Sequence, residues 1–257
     1  MKFYKRINDL INRALKGEDV TFLLGQMGII LEDIPKPDLS KKLREAYSKD
    51  IERKGILKRH GPEAALVILY IMHKLRDERD NRILSAKQLV DLTRERAKDT
   101  VVQRFLGWMS SIPAIETKTE SKRDIAQFIY APIKQLSTHE KLIVQDQTRK
   151  MQANMDAIVA EEGGAIGYYW HSNFRTPGYN YRENHKHLDL DGKFIIYRRN
   201  WAEKQGLMKR GNQIYQDEIE QPGELPNCKC SAKYVYEMTD VPKDCLTIKG
   251  LEYKKSL

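Results

Sequence analysis

The sequence predicts an α+β protein in which a helical N-terminal region is followed by a long helix packed on a small antiparallel sheet with long loops. Two patterns carry this expectation. Up to Glu162, apolar residues recur mainly at intervals of three and four, the period of an amphipathic helix. Beyond Gly163-Gly164 they come in short aromatic or β-branched runs separated by glycine and proline turns, as strands do. The expected division is a helical, partner-binding region over 1–116, a connecting segment over 117–136 and an α+β domain over 137–257.

Phe3, Ile7, Leu10, Ile11, Ala14 and Leu15 predict a first helix that stops at Gly17, and a second covers Asp19 to Ile30. Pro35 and Pro37 predict an extended linker, because the residue before a proline is pushed out of the helical region. A polar helix follows from Leu39 to Ile56. Gly61-Pro62-Glu63 starts the next one, since proline is tolerated in a first turn. Its Leu66, Ile68, Leu69, Ile71, Met72 and Leu75 are apolar nearly all round, which predicts the central core helix of this half.

Ser85-Ala86-Lys87-Gln88 has the form of a capping box, and one or two helices then reach Met109, with Pro113 ending them. Glu116 to Arg123 reads as a charged connection. Ser137-Thr138-His139-Glu140 is a second capping box, opening a helix to Glu162 whose apolar stripe is Val144, Met151, Met155, Ile158 and Val159. Strands are expected over Ile166 to Trp170, Phe194 to Tyr197, Gln213 to Ile219 and Ser231 to Tyr236. Pro177-Gly178 and Asp191-Gly192 are the expected tight turns.

Charge narrows the partners. The net charge is +9, and residues 1–150 hold 30 Lys and Arg against 21 Asp and Glu, so the whole surplus belongs to the N-terminal part. A basic surface attracts polyanions such as double-stranded DNA or an acidic protein, although here the bases are interspersed with acids as on a solvated helix face. The longest apolar run, Ala64 to Met72, stops at nine residues, far short of the roughly 18–20 that span a bilayer, so no membrane partner is expected. The charged N-terminus has no apolar signal core, and three cysteines make no disulfide framework; a reducing compartment follows. The absence of a glycine-rich phosphate loop argues against a nucleotide-driven motor. His60 and His73 read as a surface and a helix-face histidine.

Chemistry concentrates in the C-terminal half. His185/His187 and Cys228/Cys230 are two pairs of metal-ligating side chains, and alternate residues on a strand would present each pair to one face. Zinc favours four such nitrogen and sulfur donors, although Cys-x-Cys is tighter than the usual structural spacing. The preferred reading is plainer: Arg182 and His185 hydrogen-bond loop backbone and carboxylates such as Asp191, while the cysteines pack as small buried hydrophobes. Neither a nuclease signature nor a Cys–His nucleophile signature is complete, so no enzymatic activity is expected.

The ordered set Asp146-Gln147-Thr148, Gly167-Tyr168-Tyr169-Trp170, Arg182-x-x-His185, Leu190-Asp191-Gly192-Lys193 and Pro226-Asn227-Cys228-Lys229-Cys230 resembles the phage Mu F-protein-like minor head family. The likeness covers roughly Glu140 to Tyr236. Arg182-x-x-His185 fits the first half of the family's Arg-x-x-His-x-x-Leu-Asp-Gly pattern, while His187-x-x-Leu190-Asp191-Gly192 fits the second. Cys-Lys-Cys stands where Cys-Arg-Cys is usual. The resemblance implies a head-morphogenesis protein of a tailed bacteriophage, resident in the virion after assembly in the host cytoplasm. It would contact the portal, the major capsid protein or the capsid interior, and its basic half would face packaged DNA. The alternative is a metal-dependent nuclease or DNA-processing protein using the His185/His187 and Cys228/Cys230 segment.

Overall fold

Two apolar stripes run on past every local start signal in the middle of the chain, and they set the architecture. The computed structural model describes residues 2–36, 41, 44, 54–115, 121–173 and 187–257. Helices α1 (Lys2–Ala14), α2 (Val20–Glu32), α3 (Lys54–His60), α4 (Ala64–Tyr70), α5 (Met72–Ile115) and α6 (Lys122–Glu162) precede all the strands. Then come β1 (Gly167–His171), β2 (Phe194–Ile196), the short α7 (Trp201–Lys204), β3 (Ile214–Tyr215), β4 (Ser231–Val235) and α8 (Ile248–Ser256). The fold is α+β. The chain divides into two compact units, one of Met1–Ser40 with Ser85–Val144 and one of Lys41–Leu84 with Gln145–Leu257.

The first unit is helical. Asp19 caps α2 by accepting from the Phe22 amide. Ile7, Leu10 and Ile11 of α1 and Leu23, Met27 and Ile30 of α2 meet Val101 and Phe105 of α5 and Ile125, Ile129 and Ile133 of α6 in one core. Arg94 lies on the buried face of α5 and Glu140 on that of α6; their side chains, 8% and 12% exposed, pair at 2.7 Å. The Arg94 guanidinium also donates to the Pro35 carbonyl.

These continuous stripes correct both expected capping boxes. Ile83, Ala86 and Val90 are buried at helical spacing across Ser85, so α5 passes through it. Ile129, Ile133 and Leu136 lead in the same way to Glu140, so Ser137 sits in the middle of α6 rather than at its cap. Much of the segment 117–136 is accordingly helical, from Lys122 onward. Pro132 lies inside α6 and cannot donate to the Phe128 carbonyl. Arg104 of α5 replaces that donor, its guanidinium bonding the Phe128 carbonyl at 2.6 Å and lying over the Phe128 ring.

In the second unit the expected core helix is interrupted at Ile71, which separates the short α4 from the start of the long α5. α4 buries only Ala64 and Ile68, while Leu66 and Leu69 are 78% and 59% exposed. Two turns present one inward row, so apolar character all round does not here mark a central helix. The polar helix expected over Leu39–Ile56 and the Pro177-Gly178 turn lie mostly or wholly outside the described residues.

The four-stranded sheet has the order β3-β2-β1-β4. β1 pairs antiparallel with β2 and β4, as expected of a small antiparallel sheet, but β3 runs parallel to β2. β3 is only two residues long, because the chain turns at Gln216–Glu218, where the Glu218 carboxylate reaches back to the Tyr215 amide. Gly167 is required in β1: a Cβ there would stand 2.2 Å from the Ile195 carbonyl oxygen. One face of the sheet packs with the C-terminal part of the chain around Phe194, Leu207, Met238 and Val241. The other gathers Ala160, Tyr168, Trp170, Ile195, Cys228 and Cys230, and this second face positions the site.

Candidate metal centre

β1 lays the foundation. Its alternation turns Tyr168 and Trp170 to one face, each 1% exposed. The turn that brings His187 to Trp170 is tied to the same strand. The Gly192 amide donates to the Trp170 carbonyl at 2.8 Å, and the Trp170 amide donates to the Lys193 carbonyl at 2.9 Å. Gly192 has φ +74°, which favours glycine. The Asp191 carboxylate caps the end of β1 by accepting from the Ser172 amide at 2.7 Å. His187 at the head of this turn is 2% exposed and meets Trp170 edge-on, ring centroids 5.1 Å apart.

The cysteines arrive from the far side. Asn227 adopts φ +61°, a conformation asparagine tolerates better than most residues, and its amide donates to the Asp146 carboxylate of α6 at 2.6 Å. Asp146 also pairs with Lys150 at 3.0 Å. The chain then turns so that the Cys230 amide donates to the Cys228 sulfur at 3.4 Å, just before β4 begins at Ser231. Asn173, two residues past β1, donates to the Lys229 carbonyl between the two cysteines.

The result is a three-donor cluster. His187 Nδ1 stands 3.4 Å from Cys228 Sγ and 3.4 Å from Cys230 Sγ. One ligating atom from each residue lies within 4.8 Å of the others, and the thiols are free, 2% and 6% exposed. These three residues could hold a metal ion. The hydrogen bond from Cys228, then His187, hold the Cys230 thiol well below its ordinary pKa against the opposing effect of burial. The hydrogen bond with Cys230 and then burial push the Cys228 thiol up. Cys245 is remote from the cluster; burial and the neighbouring Asp244 push its thiol up to about 12.

Of the residues singled out in the sequence, the structure brings together His187, Cys228, Cys230 and Trp170. Asp191 and Gly192 lock the His187 turn, and Asp146 holds the cysteine turn. Gln147 is buried beside Asp146, donating to it at 3.4 Å. Arg182 and His185 lie outside the described residues. His187 lies in a turn, and Cys228 and Cys230 lie in the irregular stretch just before β4, so the cysteine pair does not owe its geometry to alternation along a strand.

Sequence reasoning missed a second polar cluster. His60 is no surface residue; its side chain is 3% exposed, Nε2 lies 3.1 Å from Asp156 Oδ1, and the ring stacks on Tyr234. Arg59 pairs with the same carboxylate at 2.8 Å. Arg59, Asp156, Tyr168, Asn173, Cys228 and Cys230 are among the residues lining a cavity of about 600 Å³. No local signal marks it, because its members are some 96 residues apart.

Asp146 gives a direct measure of how the cysteine turn is held. Asp146→Ala removes an acceptor from a backbone amide and the partner of Lys150, whose side chain is only 10% exposed. A loss of about 1.5–3 kcal/mol is expected in urea unfolding. Faster exchange of the Asn227 amide should accompany it; unchanged exchange would show that the turn holds without α6.

Comparison with models of known families, with curated proteins and with solved structures gives no match to this chain.

Proposed function

We propose that this chain is a minor head protein of a tailed bacteriophage, a structural component that acts in head morphogenesis through contact with the portal or the major capsid protein. The observation that carries the reading is the contact between motif segments that are distant in sequence. Asp146 receives the Asn227 amide 81 residues away, and Trp170, Asp191-Gly192 and His187 interlock in one polar and aromatic frame. Among the described residues, the motifs of the family resemblance thus serve as the frame of one α+β domain rather than as scattered surface residues. The basic surplus of residues 1–150 fits a place near packaged DNA.

In this reading the His187, Cys228 and Cys230 group takes zinc as its cofactor, in a supporting role. Donors buried beyond nine-tenths suit a structural ion better than a hydrolytic one, which must meet a large substrate. Mass spectrometry and density maps of purified particles of the encoding phage test the function. The chain is expected in mature heads at low copy, and its loss is expected to yield defective heads. Particles without a trace of it, assembled normally in its absence, overturn the reading. Metal-dependent DNA cleavage by the purified chain would favour the nuclease instead.

A further inference from the structure

We infer that His187, Cys228 and Cys230 form a zinc clamp in which Nδ1 of the imidazole and both thiolate sulfurs are the protein ligands, tying the turn before β2 to the turn before β4. The clamp rests on the reading of this domain as a structural one, and it adds which atoms bind and what they join.

Distances carry the assignment. Zinc bonds of about 2.3 Å to sulfur and 2.0–2.1 Å to nitrogen, at a tetrahedral angle, place nitrogen and sulfur roughly 3.5 Å apart. Both Nδ1–Sγ separations are 3.4 Å. That distance also suits a thiol–imidazole hydrogen bond, so it is the convergence of both sulfurs on one ring nitrogen, which apolar packing of two cysteines does not require, that marks the clamp. The charge also closes: both cysteines bind as thiolates, any remaining thiol proton passing to solvent, and two thiolates balance the dication, so no net charge is left in a buried place. Thiolate donors select zinc over magnesium or calcium, which take oxygen.

The surroundings orient the donors. Trp170 fixes the imidazole ring edge-on, and the Cys230 amide points at the Cys228 sulfur. Outer partners of this kind set ligand direction before the ion arrives. Among the described residues three donors are present, which leaves one tetrahedral position to a fourth ligand. The cavity lined by Cys228 and Cys230 offers an approach for the ion.

The test uses the full chain purified without chelator. Elemental analysis should find close to one zinc per chain. After exchange, cobalt(II) should give tetrahedral ligand-field bands with thiolate charge-transfer absorption, and two thiols should become unreactive toward a thiol reagent. His187→Ala, Cys228→Ser and Cys230→Ser should each weaken cobalt binding at least as much as the roughly 10–100-fold cost of losing an outer-shell partner. Cys245→Ser should bind as the parent does.

Should a ligand variant fail to fold, the parent protein still decides. A cobalt spectrum without thiolate absorption, or a Cys228–Cys230 disulfide in freshly prepared protein, overturns the clamp. Particle composition is read separately. A chain that holds zinc but is missing from heads overturns the head reading alone, and one resident in heads without zinc overturns only the clamp.

Discussion

Trp170→Ala is expected to lower the unfolding free energy of the C-terminal unit by about 3–5 kcal/mol, the range for deleting a large aromatic from a packed core. Trp170 is 1% exposed and joins three things at once: β1, the Leu188–Lys193 turn and the His187 ring. Removing the indole leaves a cavity bounded by hydrogen-bonded backbone that cannot close over it. Urea unfolding followed by near-ultraviolet dichroism measures the loss, with Leu66→Ala, at a side chain 78% exposed, as a control within about 0.5 kcal/mol of the parent. Trp170→Phe should cost less, because it keeps most of the apolar volume and deletes an indole N–H that has no hydrogen-bond partner among the described residues. A loss below about 1 kcal/mol for Trp170→Ala would mean that the indole is not the keystone of this face.

The second large effect belongs to the helical unit. Glu140→Ala should destabilise it by about 3–5 kcal/mol, because the Arg94 guanidinium stays buried without its counter-charge. Attraction between the two charges is not the main issue, since desolvation offsets much of it. Asymmetry is. Replacing both partners, Arg94→Met with Glu140→Leu, should therefore recover most of the loss, as an apolar pair continues the stripes on which both residues sit. Thermal or urea unfolding of the four members of this double-mutant cycle measures the coupling. Equal losses from the single and double variants would show that the cost is cavity formation rather than an orphaned charge.

Arg94 and Glu140 also show how local reading of the chain goes astray. Glu140 closes a capping-box pattern with Ser137, and Ser85 opens another, yet both lie within helices. A cap contributes about 1 kcal/mol, whereas an uninterrupted buried stripe contributes several side chains of burial, so the stripe decides. Pro132 is a further case. Its break in the hydrogen-bond ladder is mended by Arg104, from a helix that neither proline rule nor local window includes.

The apolar periods by themselves determined the class of the protein: helices first, short strands after Gly163-Gly164, and α1 and α2 nearly to their ends. They did so because period and turn chemistry are local properties of neighbouring residues. The tertiary structure alone decided that Cys228 and Cys230 meet His187, 41 and 43 residues away, that His60 is buried against Asp156, and that β3 runs parallel to β2. Those placements depend on which turns close against which strand. Here backbone hydrogen bonds from Trp170 and Asn227 do the closing, and no local spacing encodes them.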